Sequence, residues 1–200
     1  SRRLRGRETI RERVGPVELD LSAAAFSQLN LEVAAAADAA AAELAAAAPG
    51  GEDAGGAIWD LYCGAGGLGL SVARRRTAGE LAGVDSVPAG IALAEGNARR
   101  AGVAARYRAA DLAGGIPREL PAPWLAIVNP PRRGLDEAVV RDLVASDARA
   151  VIYMSCHPAS FARDARALVD AGFAAPSEIA ALDMLPQTPH VELLARLDRA

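Results

Sequence analysis

Lysine is absent from this 200-residue chain; all 22 basic residues are arginine. With abundant alanine and glycine, that bias reflects genome base composition rather than function. Cysteine is nearly absent too. Cys63 and Cys156 are too few for a disulfide framework, and no apolar segment follows the arginine-rich start to act as a secretory signal, so a reducing cytoplasm is the expected compartment. Aromatic residues make up only 4%, which leaves core packing to Leu, Val, Ile and Ala. No apolar run has transmembrane character: the nearest, Val33 to Ala48, is broken by Asp38 and Glu43 and reads as a soluble helix, so no membrane partner is expected. The two histidines, His157 and His190, have no cysteine or carboxylate at metal-ligand spacing, which argues against a metal site.

The net charge of −3 argues against bulk attraction to nucleic acid, but its distribution is uneven. Residues 1–13 hold six arginines (2, 3, 5, 7, 11 and 13) against Glu8 and Glu12, a local +4 that leaves −7 for the remainder. Such an arm either binds phosphate or is a solvated end. Residues 1–22 are read as a basic N-terminal arm or the remnant of a preceding domain, and 23–200 as one domain; Ser1 in place of Met fits a trimmed or processed chain.

Strand-like runs are expected at Val17–Leu21, Ala57–Tyr62, Glu80–Asp85, Val103–Arg108, Trp124–Asn129, Ala150–Ser155, Glu178–Asp183 and His190–Leu197. Helices are expected at Ala24–Ala48, Gly67–Arg76, Pro88–Ala101, Asp136–Ala145 and Ala159–Ala171, with Pro88 in a first turn and Gly102 and Gly172 as stops. The alternation predicts an α/β fold with a doubly wound, mostly parallel sheet, and the last two strands, joined without a helix, predict an antiparallel edge.

After the first of the alternating strands, Asp60-Leu61-Tyr62-Cys63-Gly64-Ala65-Gly66-Gly67-Leu68-Gly69 places Gly64, Gly66 and Gly69 in a G-x-G-x-x-G pattern where backbone must approach a ligand. Asp85 ends the next strand, nineteen residues after Gly66, where a carboxylate can bind both hydroxyls of a ribose. A nicotinamide dinucleotide fits the same pattern. Asp60 shifts the balance, because an acid ahead of the glycines suits a sulfonium or ammonium ligand rather than a pyrophosphate, and acid-x-x-x-Gly-x-Gly resembles the first motif of S-adenosylmethionine-dependent methyltransferases. Cys63, inside the glycine loop, reads as packing.

Two more strand ends carry chemistry. Asn129-Pro130-Pro131-Arg132-Arg133-Gly134 is a stiffened loop. In methyltransferases acting on exocyclic amines an aromatic residue follows the prolines and stacks the base; Arg132 stands there instead, and Arg132 with Arg133 could grip phosphate or a uracil carbonyl. The buried run Val151–Met154 ends in Ser155-Cys156-His157-Pro158, which sets a thiol at a strand's C-terminal end, where open α/β sheets place their ligands. Asp164 with Arg163 is expected to serve its helix or to orient the cysteine loop. Arg74-Arg75-Arg76 is expected to be a solvated helix end.

Taken with Phe26-Ser27-Gln28-Leu29-Asn30 and Asp183-Met184-Leu185-Pro186-Gln187-Thr188-Pro189-His190-Val191-Glu192, these segments follow one family's order, and the chain from Phe26 to Leu197 resembles the RNA uridine-5-methyltransferases. The Asn-Pro-Pro-Arg-Arg-Gly version is similar to the branch acting on 23S ribosomal RNA, since the transfer-RNA branch usually begins with Asp. The resemblance implies a class I, Rossmann-like methyltransferase domain over 23–200, with Gln28, Tyr62, Asp85 and Asn129 lining adenosylmethionine beside Asp60, Gly64 and Gly66. It implies Cys156 as nucleophile and Glu192 as base. The chain departs from the family pattern at His157, usually Asn, and at Asp85, usually Glu. It has none of the extra cysteines that hold an iron–sulfur cluster in many members, so no such cluster is expected in this chain, and the family's N-terminal RNA-binding domain is not expected within residues 1–200.

The implied chemistry is covalent. Carbon 5 of uracil is a poor nucleophile until a thiolate adds at carbon 6; the resulting enolate takes the methyl group, and a base then removes the carbon 5 proton as the thiol leaves. The target uridine must be splayed out of its RNA, which favours a loop, with 23S ribosomal RNA as the expected partner. The alternatives are an exocyclic-amine methyltransferase on nucleic acid and a non-catalytic RNA-binding module with a methyltransferase fold.

Overall fold

The computed structural model describes residues 6–25, 28, 30–51, 55–75 and 79–200. Phe26, Ser27 and Leu29 of the first family segment, Arg76 of the expected helix end, and Arg2, Arg3 and Arg5 of the basic arm lie outside these residues.

A seven-stranded sheet organises the molecule. Its strands are β3 (Ala57–Leu61), β4 (Leu81–Asp85), β5 (Ala105–Ala109), β6 (Pro123–Val128), β7 (Ala150–Ser155), β8 (Ile179–Leu182) and β9 (Glu192–Asp198), in the spatial order β5-β4-β3-β6-β7-β9-β8. The first five are mutually parallel, and β9 runs antiparallel to both β7 and β8. The doubly wound sheet with an antiparallel end is therefore as expected. The chain leaves β3 for β4 and β5 on one side and returns to β6 on the other, so the gap between β3 and β6 is the topological switch point, where such sheets bind ligands.

Alternation along the central strands, interrupted where Trp124 and Leu125 fall on one side, divides the core. Ile58, Leu125, Ile127, Ala150, Ile152 and Met154 face one side, while Trp59, Leu61, Ala126, Val128, Val151 and Tyr153 face the other. The first side is covered by α1 (Leu31–Ala46), α2 (Gly67–Ala73) and α3 (Pro88–Ala101), the second by α4 (Glu137–Ala145) and α5 (Pro158–Asp170). Strands β3, β6 and β7 are buried along their whole length because both faces are covered. No helix among the described residues is long and apolar enough to cross a membrane.

Two elements differ from expectation. Helix α1 begins at Leu31 rather than Ala24, because the Asn30 side chain accepts the Val33 amide at 3.2 Å as an N-cap, while Ser22 turns the chain ahead of it by accepting the Ala24 amide at 3.2 Å. Part of the segment expected to be a basic arm is β1 (Ile10–Val14), a hairpin partner of β2 (Val17–Leu21). Arg11 and Arg13 pair across the strands with Asp20 (2.9 Å) and Glu18 (3.0 Å), and Arg100 of α3 also reaches Asp20. The inner face, Val14, Val17, Leu19 and Leu21, is buried, so the boundary drawn at residue 22 falls beside a packed strand. Asn97 fastens this hairpin: fully buried on α3, it accepts the Asp20 amide at 2.8 Å and donates to the carbonyls of Asp20 (3.2 Å) and Ala65 (3.0 Å).

Candidate active site

The glycine loop joins β3 to α2. Tyr62 breaks from the strand at φ +63°, an uncommon conformation for an aromatic residue, and Gly64 and Gly66 continue with φ of +54° and +84°. A side chain at Gly66 would meet the Tyr107 hydroxyl and Ala94, and one at Gly69 would strike the Asp60 carboxylate. These two glycines are thus required by protein neighbours, not only by ligand approach. Asp85 braces the loop from β4, its two oxygens accepting the amides of Gly64 (2.9 Å) and Val87 (2.8 Å). Burial, with Asp60 and Asp85 nearby, holds the Cys63 thiol protonated, in keeping with a packing role.

A cleft of about 100 Å³ lies over this loop. Gln28, Asp60, Tyr62, Gly64 and Asn129 line it together, and the hairpin adds Val14, Leu19 and Leu21. Gly66 and Asp85 are not on its wall; they shape the loop from behind. Asp60 is 1% exposed and its Oδ2 has no protein partner; burial pushes the carboxyl up to about 7, against the Gly69 amide and with help from Asp38 and Asp85. Asp38, on the buried face of α1, also lines the cleft. Ser71 donates to it at 2.7 Å, and burial raises it to about 6. Its part in the cleft was not anticipated from the sequence, although it falls four residues after Ala34 on the buried stripe of the helix.

Cys156 and Glu192 lie close together, neither of them on the wall of this cleft. Met154, two residues before the cysteine, lines the cleft. Across the antiparallel pair Ser155 stands opposite Leu193, so the next position on each strand brings Cys156 and Glu192 face to face. Cys156 is free and half-buried; burial raises its thiol pKa, the Glu192 charge adds to the rise, and the Arg132 guanidinium opposes it. Glu192 is buried, with Oε2 lacking a partner, and desolvation pushes it up to about 7, a value suited to a general base.

The two arginines after the prolines diverge. Arg132 turns to His190, with its Nη2 at 2.7 Å from Nδ1, and borders Cys156. Arg133 is paired with Asp136 at 3.0 Å. The loop that presents them is anchored by Asp164 of α5, whose Oδ2 accepts both the Leu135 amide and the Tyr153 hydroxyl at 2.7 Å. Arg163 holds the other carboxylate oxygen and donates to the Arg133 carbonyl at 2.7 Å. Gly134, at φ +83°, passes so close to Asp164, Arg163 and Ser160 that a side chain would not fit. Asp164 therefore orients the arginine loop. His157 caps α5, its Nδ1 accepting the Ser160 amide at 3.3 Å, which is the task a shorter Asn would perform there.

A family model described as the methyltransferase small domain matches residues 16–152, and one described as tRNA (Uracil-5-)-methyltransferase matches residues 124–200. A Bacillus cereus protein named as an uncharacterized RNA methyltransferase is 36% identical over 204 residues, covering 98% of this chain and 42% of its own length. One from Caldanaerobacter subterraneus is 33% identical, with 98% and 42% covered. The chain thus spans about two fifths of the length of these curated relatives. Among solved structures, the tRNA (uracil-54, C5)-methyltransferase of Pyrococcus abyssi in complex with S-adenosyl-L-homocysteine superposes with a TM-score of 0.80 at 33% identity, covering 96% of this chain and 45% of that one. The M. jannaschii tRNA m1G37 methyltransferase, at 11% identity and a TM-score of 0.69 over 98% of this chain and 58% of that one, shares the fold. The sheet order is that of class I methyltransferases, and the likeness to RNA uridine-5-methyltransferases read from the motifs is matched by a solved structure over 96% of this chain and by the family model over residues 124–200. By the match across its glycine loop, switch point and central strands, the chain belongs to the methyltransferase small-domain family.

Proposed function

We propose that this chain transfers a methyl group from S-adenosylmethionine to carbon 5 of a uridine in RNA through a covalent Cys156 adduct at carbon 6. The observation that carries the reading is the β7–β9 register, which sets a half-buried thiol opposite a buried carboxylate that keeps one oxygen unpartnered. The cleft suits the donor: an acidic floor with an orphaned Asp60 oxygen fits a cationic ligand, and Gln28, Tyr62, Gly64 and Asn129 would hold it, with Asp85 fixing the loop. Adenosylmethionine bound there would supply an electrophilic methyl group on sulfur.

The chain's own residues do the rest. Arg132 lowers the cost of the Cys156 thiolate, which adds to carbon 6 of the uracil and pushes electron density to carbon 5. After carbon 5 is methylated, Glu192 takes its proton, and the carbon 6–sulfur bond breaks to restore the ring and release the thiolate. Arg133 and Arg132 would meet the RNA from the same loop.

Asn129 at the head of that loop favours a 23S ribosomal RNA loop as substrate, with transfer RNA as the rival. Incubation with labelled adenosylmethionine and unmodified total RNA, followed by mass mapping, tests both. The expected product is 5-methyluridine in 23S RNA. Label in an exocyclic amine that survives Cys156→Ala, or no label in any RNA, would overturn the proposal.

A further inference from the structure

The cleft floor carries more negative charge than the glycine-loop motif requires. Asp60 contributes one carboxylate from the end of β3. Asp38 contributes a second from a different element, the inner face of α1, where it is 7% exposed and held by the Ser71 hydroxyl at 2.7 Å. The two are close enough for the charge on Asp38 to raise the pKa of Asp60. Asp85 adds to the same field from behind the loop. Among the described residues lining the cleft there is no arginine or histidine; the other lining residues are apolar or neutral, as Leu31, Ala34, Gln28 and Asn129 are. Two desolvated acids without a cation destabilise the empty protein, and one of them, Asp60, keeps an oxygen unpartnered. A positively charged occupant relieves both.

We propose that Asp38 is a specificity-determining residue of this cleft: with Asp60 it forms a two-carboxylate floor that favours the sulfonium-bearing methyl donor over the neutral thioether left after transfer. The inference rests on the reading of the cleft as an adenosylmethionine site. Donor and product share the adenosine, amino and carboxylate groups and differ by one methyl group and one positive charge on sulfur. Uniform contacts cannot separate them, whereas a field can. Coulombic attraction in a cleft of reduced dielectric acts across several ångströms, so Asp38 needs no direct contact with the sulfur to bias binding by about tenfold. Loss of that charge at methyl transfer also loosens the product's hold and speeds its exchange for fresh donor.

Calorimetric titration of the chain and of its Asp38→Asn variant with S-adenosylmethionine and with S-adenosylhomocysteine tests this. Asparagine keeps the shape and an oxygen for Ser71 to donate to, and removes only the charge. The donor is expected to weaken by about tenfold while the product changes by less than about twofold, so that the preference collapses. The melting temperature of the unliganded variant is expected to hold or rise, since a buried charge is gone. Equal weakening of both ligands, or an unchanged ratio, would overturn the inference and leave Asp38 a structural partner of Ser71. If neither ligand binds the unsubstituted chain, the reading of the cleft itself fails, and this inference with it.

Discussion

Cys156 faces Glu192 across β7 and β9, one position beyond the Ser155–Leu193 pair. The two are 36 residues apart in the chain, and the path through α5 and β8 that returns β9 beside β7, not any local motif, closes that distance. The Glu192 charge makes the Cys156 thiolate harder to form, and Arg132 offsets it.

Glu192→Gln should separate the two halves of the reaction. Adduct formation and methyl transfer should survive, while release of the methylated uridine falls by about 10²- to 10⁴-fold, the usual contribution of a general base. Denaturing electrophoresis would then show an RNA–protein band persisting with ordinary uridine substrate. A variant turning over at the original rate would remove Glu192 from the chemistry.

Stability should fall as pH rises from about 4 to about 7. Asp38, Asp60 and Glu192 hold their protons more tightly in the folded chain than when unfolded, with folded values near 6, 7 and 7 against ordinary ones of 3.8, 3.8 and 4.5. Their contribution is therefore complete below the unfolded values and is lost as each ionises in place, a change on the order of a few kcal/mol. Urea midpoints at pH 5 and pH 8 measure it, and equal midpoints would contradict it.

Asp164→Ala should cost about 3 kcal/mol, because it leaves the buried Tyr153 hydroxyl and the Leu135 amide without their acceptor. The arginine loop should loosen with it, so kcat should fall without loss of cofactor affinity. Guanidinium unfolding with single-turnover kinetics reads both effects.

Asn97→Ala should cost about 2 to 4 kcal/mol, from three hydrogen bonds to the Asp20 and Ala65 backbone that no water can replace at a fully buried site. Since the hairpin supplies Val14, Leu19 and Leu21 to the cleft, donor affinity should drop in parallel, as measured by calorimetry.

Much of the sheet was legible because buried parallel strands are short apolar runs with proline or glycine at their ends; α3, with Pro88 at its start and Gly102 at its stop, lies where expected. The start of α1 was not, since Ala23, Ala24 and Ala25 have the same propensity as the helix interior and only the Asn30 side chain decides the boundary. Strand β1 hid behind its charges: Arg11 and Arg13 read as a solvated arm until Asp20 and Glu18 stand opposite them. The motifs pointed to Asp60, Asn129, Cys156 and Glu192 one by one, and the structure puts Asp60 and Asn129 on the cleft wall. Asp38 escaped notice because one acid in an alanine-rich helix looks solvated, and its burial depends on the sheet packed beneath it. The work of Asp164 on the arginine loop is likewise tertiary, joining α5 to a segment 29 residues earlier.

The most direct measurement is to incubate the chain with adenosylmethionine and RNA in which the uridines are replaced by 5-fluorouridine, then digest and weigh the peptides. Fluorine cannot leave as a proton, so the reaction should halt with a methylated fluorouridine bonded to the peptide containing Cys156. Methyl transfer to RNA with no such adduct, or an adduct on any other residue, would contradict covalent catalysis by this thiol.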